Sequence, residues 1–339
     1  MWFRRLLALV IAVGLVYGAW QARVRLIGRA AGEQAPEELR VACVRELAGL
    51  CSELDTSAPP LSEDAPTTVA RFAEAELPFD VWVTLDPWPE IGANARERAG
   101  QADLSMQASE VLARSPIVLA AQADRVTSLE QACGGTLTWR CLGERAGQPW
   151  TDHGGQSAWG QVKVGLDEPS DNATGLLTLA EASASYFDDT AFNSQSLASA
   201  DYFAWVSGLA DAMVATPDQS PFERMLLTGS AELEFVGALE SAAVPLLRRD
   251  PGRAGQIVIH MPEPLVTADV IAVGYGPNAA PAVDRVVEQL RGPLADSSWR
   301  VPGEPPPSEV DGVELPDDNG VPSAAVLERL QQTWVEITR

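Results

Sequence analysis

Four short apolar runs, each bounded by turn-forming residues, constrain this chain more than any other feature. They are FDVWVTLD (79–86), SPIVLAAQ (115–122), GQIVIHMPE (255–263) and TADVIAVGYG (267–276). Each is rich in β-branched or aromatic residues, so each reads as a buried strand. ELRVACV (38–44) reads the same way. Between the strands lie helix-like stretches: RELAGLCSEL, residues 90–113, residues 198–216, two stretches within 221–247, PAVDRVVEQLRGPL, and the closing amphipathic segment 323–337. In 198–216 the apolar positions are Tyr202, Phe203, Trp205 and Leu209, better suited to a core than to a cofactor box. TTVARFAEAE (67–76) is of mixed character, and 300–322 is a Pro/Gly/Asp-rich loop. GQVKVGLDEPSDNATGLLTLAEASASYF (160–187) reads as strand, polar loop and helix. Strands alternating with helices imply an α/β architecture. At 339 residues the chain is long enough for two lobes.

The N-terminus has its own logic. Arg4 and Arg5 precede an apolar run from Leu6 to Trp20, and Arg23, Arg25 and Arg29 follow. A positive segment before an apolar run is the pattern of an export signal. The run is short for a full span, which needs about 20 residues, and Trp2, Phe3 and Trp20 extend it as interface anchors. Residues 1–22 therefore read as an uncleaved signal anchor, a single-pass transmembrane helix. Cleavage near Val16-Tyr17-Gly18 is the alternative. Residues 23–37 read as a tether, which places the folded part outside the cytoplasm.

Charge and motifs then exclude whole classes. Lys and Arg number 24 against 47 Asp and Glu, a net charge of −23. A field of that sign repels phosphate backbones, so nucleic acid is not an expected partner. No G-x-S-x-G, H-E-x-x-H or Walker sequence occurs, so no enzyme activity and no cofactor are expected. GYGPNA (274–279) resembles a dinucleotide fingerprint but has no following βαβ unit. It reads as a tight strand-to-helix turn, with Pro281 near the helix start. Two distant histidines, His153 and His260, and no C-x-x-C argue against a metal site.

Cys43, Cys51, Cys133 and Cys141 in an exported chain suggest disulfides, with three pairings open. The Gly-Gly turn of CGGTLTWRC lets the chain reverse between Cys133 and Cys141, which favours local pairs. Cys43 and Cys51 are less secure: in one continuous helix they would stand about 12 Å apart, beyond bridging reach.

Four segments, in order, resemble a known family. DVWVTLDPWPEI is similar to a strand ending in VW-x-P-x-S-x-x-W, and ARSPIVLAA to ARTPLVIA. VGLDEPSDNATGLLTL is similar to P-x-x-S-x-x-G-L, and FVGALESAAVPLL to V-x-x-VE-x-S-V. These patterns belong to the extracellular solute-binding proteins of the type 2 periplasmic-binding fold, most closely an actinobacterial branch found beside or fused to von Willebrand factor A domains. No D-x-S-x-S motif is present, so that domain itself is absent, and the hydroxyl expected after the DVW strand is replaced around Leu85, Asp86 and Pro87.

The resemblance implies a two-lobed α/β fold, each lobe a mixed sheet flanked by helices. Lobe 1 would comprise 38–114 and 267–339, and lobe 2 would comprise 115–266. Crossings near Ser115 and Pro262–Thr267 would form a hinge. Local disulfides would keep each bridge within one lobe. The implied function is capture of a small molecule or oxyanion in the inter-lobe cleft for an ABC permease. A von Willebrand factor A protein is a further partner. A membrane-anchored sensor or scaffold on the same fold is the alternative.

The candidate ligand residues follow from strand ends and helix starts. In PSDNATG (169–175), Ser170 and Asn172 are capping residues, Thr174 opens a helix, and Gly175 permits close approach to its free N–H groups. Arg45 follows the first strand and suits a carboxylate or phosphate. Asp86 suits an amine or hydroxyl, Trp88 a stacked ring, and Glu240 would face the hinge. Each has a plainer reading as cap, surface charge, turn or core residue. Together Asp86, Asp171 and Glu240 disfavour a dianionic ligand unless Arg45 compensates.

Overall fold

Strand β5, Ala113–Gln122, organises the computed structural model, which describes residues 39–214, 216, 219–306 and 313–339. Its first residues, 113–116, pair antiparallel with β9 (Thr267–Tyr275). From Ile117 onward it pairs instead with β7 (Phe235–Leu239) and β8 (Ile257–His260). One continuous strand therefore belongs to two sheets. Β9 also pairs antiparallel with β3 (Val81–Leu85) and β4 (Met106–Ala108). Beyond β3 lie β1 (Val41–Val44) and β2 (Leu61–Glu63), parallel to one another, with β1 also parallel to β3. At the other end β6 (Val164–Gly165) runs parallel to β7. The strand order is β2-β1-β3-β9-β5-β7-β6. Arg40–Arg339 forms one compact unit of mixed α/β structure.

The strands expected at 79–86, 115–122, 255–263 and 267–276 all form, because every residue of β3 and β9 is buried and such runs sit only in sheet interiors. Helices flank them. On the first sheet Phe72, Phe79, Trp82 and Tyr275 form one aromatic cluster, with ring centroids between 5.3 and 6.4 Å apart. On the second, Val118, Ala120, Val236 and Ala238 meet Phe222, Met225 and Leu247. Full burial of one such side chain is worth about 1.5–3 kcal/mol.

Three expectations change. The helix expected over 90–113 stops after Trp88–Arg98, because Gly100 takes a left-handed φ of 69° and the next residues are recruited as β4 onto β9. Within 221–247 two helices do form, Pro221–Thr228 and Glu240–Arg249, but β7 lies between them. The FVGAL run goes into the sheet because both its neighbours, β5 and β6, supply backbone partners. Helix 198–216 is shorter, Ala200–Asp211, with Ser199 as its cap. The disulfides are Cys43–Cys51 and Cys133–Cys141. Cys43 lies on β1 rather than in a helix, so the chain folds back and brings its Cα within 6.5 Å of Cys51. The signal anchor, 1–22, and tether, 23–37, lie outside the described residues. Among the described residues no helix is long and apolar enough to cross a membrane.

Where β5 changes sheets, polar groups tie the surrounding elements. Glu240, the first residue of its helix and fully buried, accepts two 2.6 Å bonds from the Arg300 guanidinium. Arg300 also pairs backbone to backbone with Arg114 and donates to the Val313 carbonyl. Arg114 reaches Asp269 at 2.9 Å, and the Ser115 hydroxyl accepts from the Ser241 N–H. A buried ion pair is costly to break on one side only. Replacing Arg300 alone with Met is expected to cost about 3–5 kcal/mol in urea unfolding. The double variant Glu240→Leu/Arg300→Met should recover most of that loss, since it leaves no buried charge unpaired.

Candidate functional site

A groove of about 960 Å³ opens at the carboxyl ends of parallel strands drawn from both sheets. Arg45 and Glu46 follow β1 directly, and Leu166 and Asp167 follow β6. A smaller hollow of about 200 Å³ shares the Arg45, Asp167, Asn172 and Ser220 wall and reaches Leu239 at the end of β7. Strand ends in α/β sheets are where ligands bind, because the helices that follow present unsatisfied N–H groups there.

The helix Ala173–Phe187 starts at this wall. Asn172 caps it: its Oδ1 accepts from the Gly175 N–H at 3.0 Å. The Thr174 N–H and hydroxyl both donate to Glu46 Oε1, at 3.1 and 3.2 Å. An internal carboxylate therefore occupies the helix terminus where an external anion would sit. Burial pushes the Glu46 carboxyl up, against the lowering effect of those bonds. Its Oε2 is shut off from solvent with no hydrogen-bond partner.

Acidic groups dominate the rest. Asp64, Asp167, Glu168, Asp171 and Glu223 line the groove, and among the described residues Arg45 is the one basic side chain on it. Arg45 is already paired with Asp64 at 2.5 Å, an exposed contact worth about 0–1 kcal/mol. Glu168 accepts from the Trp334 indole at 2.6 Å and from the Ser170 hydroxyl. Asp167 is pushed up to about 7, first by burial and then by Glu46 and Glu223. Like charges close together disfavour a second ionisation.

The structure brings Arg45, Asn172 and Thr174 to this site. Ser170 sits in the loop before the helix, bonded to Glu168. Gly175 lies behind the wall: a Cβ there would stand 2.3 Å from the Asp167 carbonyl oxygen, so the glycine lets the loop close over the helix. The remaining three are placed elsewhere. Trp88 is in the core of the first sheet, because its apolar ring is buried under the helix it begins. Glu240 is consumed by Arg300. Asp86 accepts from the Asn319 amide at 3.3 Å, and burial followed by Asp269 raises its carboxyl. Sequence reasoning passed over Glu46, Asp64, Asp167 and Glu223. The available signal was position: Glu46 and Asp167 each lie within two residues of a strand's carboxyl end.

Two stability measurements check this geometry. Gly175→Ala should destabilise by about 1–3 kcal/mol through overpacking. Gly208→Ala, in a helix with open space at its Cβ, should be neutral or stabilising by up to about 1 kcal/mol. The second concerns Asp167, whose folded carboxyl holds its proton more tightly than the unfolded one, which titrates near about 4. Its favourable contribution is thus present in acid and lost as pH rises toward about 7. Asp167→Asn should raise the melting temperature at about pH 8 and leave it nearly unchanged at about pH 4.

The sequence matches no family model and no curated protein. Its likeness is to solved structures. FutA2 from Synechocystis, in its apo form, superposes with a TM-score of 0.57 at 15% identity, covering 89% of this chain and 98% of that one. A ferric binding protein from Campylobacter jejuni gives 0.59 at 13% identity, covering 89% and 98%. The apo ferric ion-binding protein A of Pasteurella haemolytica gives 0.55 at 15%, covering 89% and 96%. Over Arg40–Arg339, this chain has the mixed α/β fold of periplasmic binding proteins.

Proposed function

We propose that this chain is an exported solute-binding protein that captures a small ligand and delivers it to an ABC-type permease. The observation that carries the reading is the groove at the ends of β1, β6 and β7, walled by residues from both sheets. Two chain segments pass between the sheets: β5 at 116–117, and the stretch between β8 and β9. That pattern supports a lobe of 38–114 with 267–339 and a second of 115–266, hinged at those crossings. Hinge closure around a ligand is the motion such an arrangement permits. The N-terminal segment 1–22 supports a membrane tether with the folded part extracytoplasmic, and the four sequence patterns support kinship with the branch associated with von Willebrand factor A domains. The hydroxyls at the site, Thr174 and Ser170, spend their hydrogen bonds on Glu46 and Glu168 at the helix start, which supports a reading of binding.

Ferric iron, after which two of the named neighbours are called, does not transfer easily. Among the described residues no group of three or more His, Cys, Asp or Glu side chains could hold a metal ion. A second reading, a membrane-tethered sensor or scaffold, is favoured by one observation: Glu46 to Thr174 and Trp334 to Glu168 join the groove's walls through the chain's own side chains.

Thermal shift and small-angle scattering separate the two. A transported ligand at about 100 times its Kd should stabilise by about 2.7 kcal/mol and reduce the radius of gyration. If amino acids, sugars, oxyanions, amines and ferric citrate all leave both quantities unchanged, the receptor reading gives way to the scaffold.

A further inference from the structure

The groove's chemistry selects among ligand classes, given the solute-binding reading on which this step rests. An anion finds little to hold it. The Thr174 and Gly175 N–H groups are taken by Glu46 and Asn172, and Arg45 donates one bond to Asp64, so its charge is partly offset. The acceptors, by contrast, are in surplus. Glu46 Oε2 is buried and unpartnered, and the Asp167 and Glu223 carboxylates line the groove beside it. The three come from separate elements: the turn after β1, the loop after β6 and the helix Pro221–Thr228. A bare metal ion is poorly served, since the carboxylates do not converge as a ligand set. The smaller hollow continues from Asp167 onto apolar surface, Phe222, Leu239, Leu246 and Trp299.

We propose that the groove takes an organic cation, its ammonium or guanidinium head seated against Asp167, Glu223 and Glu46 and its apolar body lying along Phe222, Leu246 and Trp299. Several N–H donors on one head satisfy several carboxylate oxygens at once, and charge-assisted bonds of this kind are the strong ones. Binding supplies counter-charge to a cluster in which Arg45 is the one basic side chain among the described residues. The groups facing Asp167 are Glu46 and Glu223, with Asp64, Glu168, Asp171 and the Asp64-paired Arg45 around the rim. All but Arg45 are acidic, so a cation should draw the Asp167 proton off. Affinity then falls as the medium is acidified.

The test is calorimetric titration of the full-length chain, in detergent, with putrescine, arginine and phenethylamine as cations and with inorganic phosphate, citrate and ferric citrate as the opposing arm. At least one amine should bind while phosphate and citrate do not. Because Asp167 titrates at about 7, that affinity should drop about tenfold between about pH 8 and about pH 6. Asp167→Asn should weaken it at least about tenfold and flatten the pH dependence. Glu223→Gln should also weaken it, and it stands in should the first variant not fold. Binding of phosphate, citrate or ferric citrate with no amine binding would overturn the organic-cation assignment while leaving a solute-binding protein. Amine binding indifferent to both variants would overturn the placement of the head group. No binding by either arm would count against the solute-binding reading itself.

Discussion

The structure depends on β5 running unbroken through two sheets. A strand that pairs with β9 over its first residues and with β7 and β8 over the rest must turn its hydrogen bonds to a new set of neighbours at Pro116–Ile117. Pro116 has no N–H to offer a ladder, and the Ile117 N–H goes to the Val266 carbonyl on the stretch that leads into β9. The two crossings therefore bond to each other. Around that point the Glu240–Arg300 pair replaces the water that both charges would otherwise need. Strand ends of both sheets thus face one groove beside this crossing.

How the helix Ala173–Phe187 is terminated decides what that groove can hold. A helix start normally offers N–H groups and a partial positive charge to an incoming anion. Here Asn172 satisfies one N–H from the same loop, and Glu46 satisfies another from the turn after β1. The terminus has been used to hold a carboxylate of the chain itself. That carboxylate adds negative charge where the helix would have presented positive. Asp167, Glu223 and Asp64 lie around it, and Arg45 is spent on Asp64, so the local field reverses sign. The overall charge of −23 reinforces this but does not cause it, because exposed charges beyond about 10 Å are screened at ordinary ionic strength.

What the sequence made legible follows from which interactions are local. The strands at 81–85, 117–122, 257–260 and 267–275 could be read because a buried strand needs a continuous β-branched and apolar run. The run FVGAL was hidden because Gly237 and Ala238 lack β-branched bulk and helical periodicity flanks them on both sides. Gly237 is small for a tertiary reason: a Cβ there would meet Thr178 at 2.2 Å. Strands as short as β2 and β4 carry too few residues for any periodicity, whereas the strand read at the start of 160–187 forms as β6. In the site, Arg45, Asn172 and Thr174 were accessible from their positions at a strand end and a helix start. Glu240 and Trp88 had equally good positions, yet partners far away in sequence claimed them: Arg300 for the first, core packing for the second.

The likeness to iron-binding structures and the chemistry of this groove point in different directions, and physics says which should govern ligand choice. A fold sets where a site lies: strand ends, helix starts, a cleft between sheets. It does not set the charge of the side chains placed there, and at 13–15% identity almost every one of those has been free to change. A ferric ion needs several hard donors converging on one point. Among the described residues no group of His, Cys, Asp or Glu offers such convergence, and the described tyrosines, 186, 202 and 275, do not line the groove. What the described residues offer is carboxylates from several elements beside an apolar hollow. Carboxylates with an adjoining apolar wall fit an amphipathic cation better than a bare ion, because a head with several N–H donors meets each acceptor through its own hydrogen bond and needs no tight coordination shell.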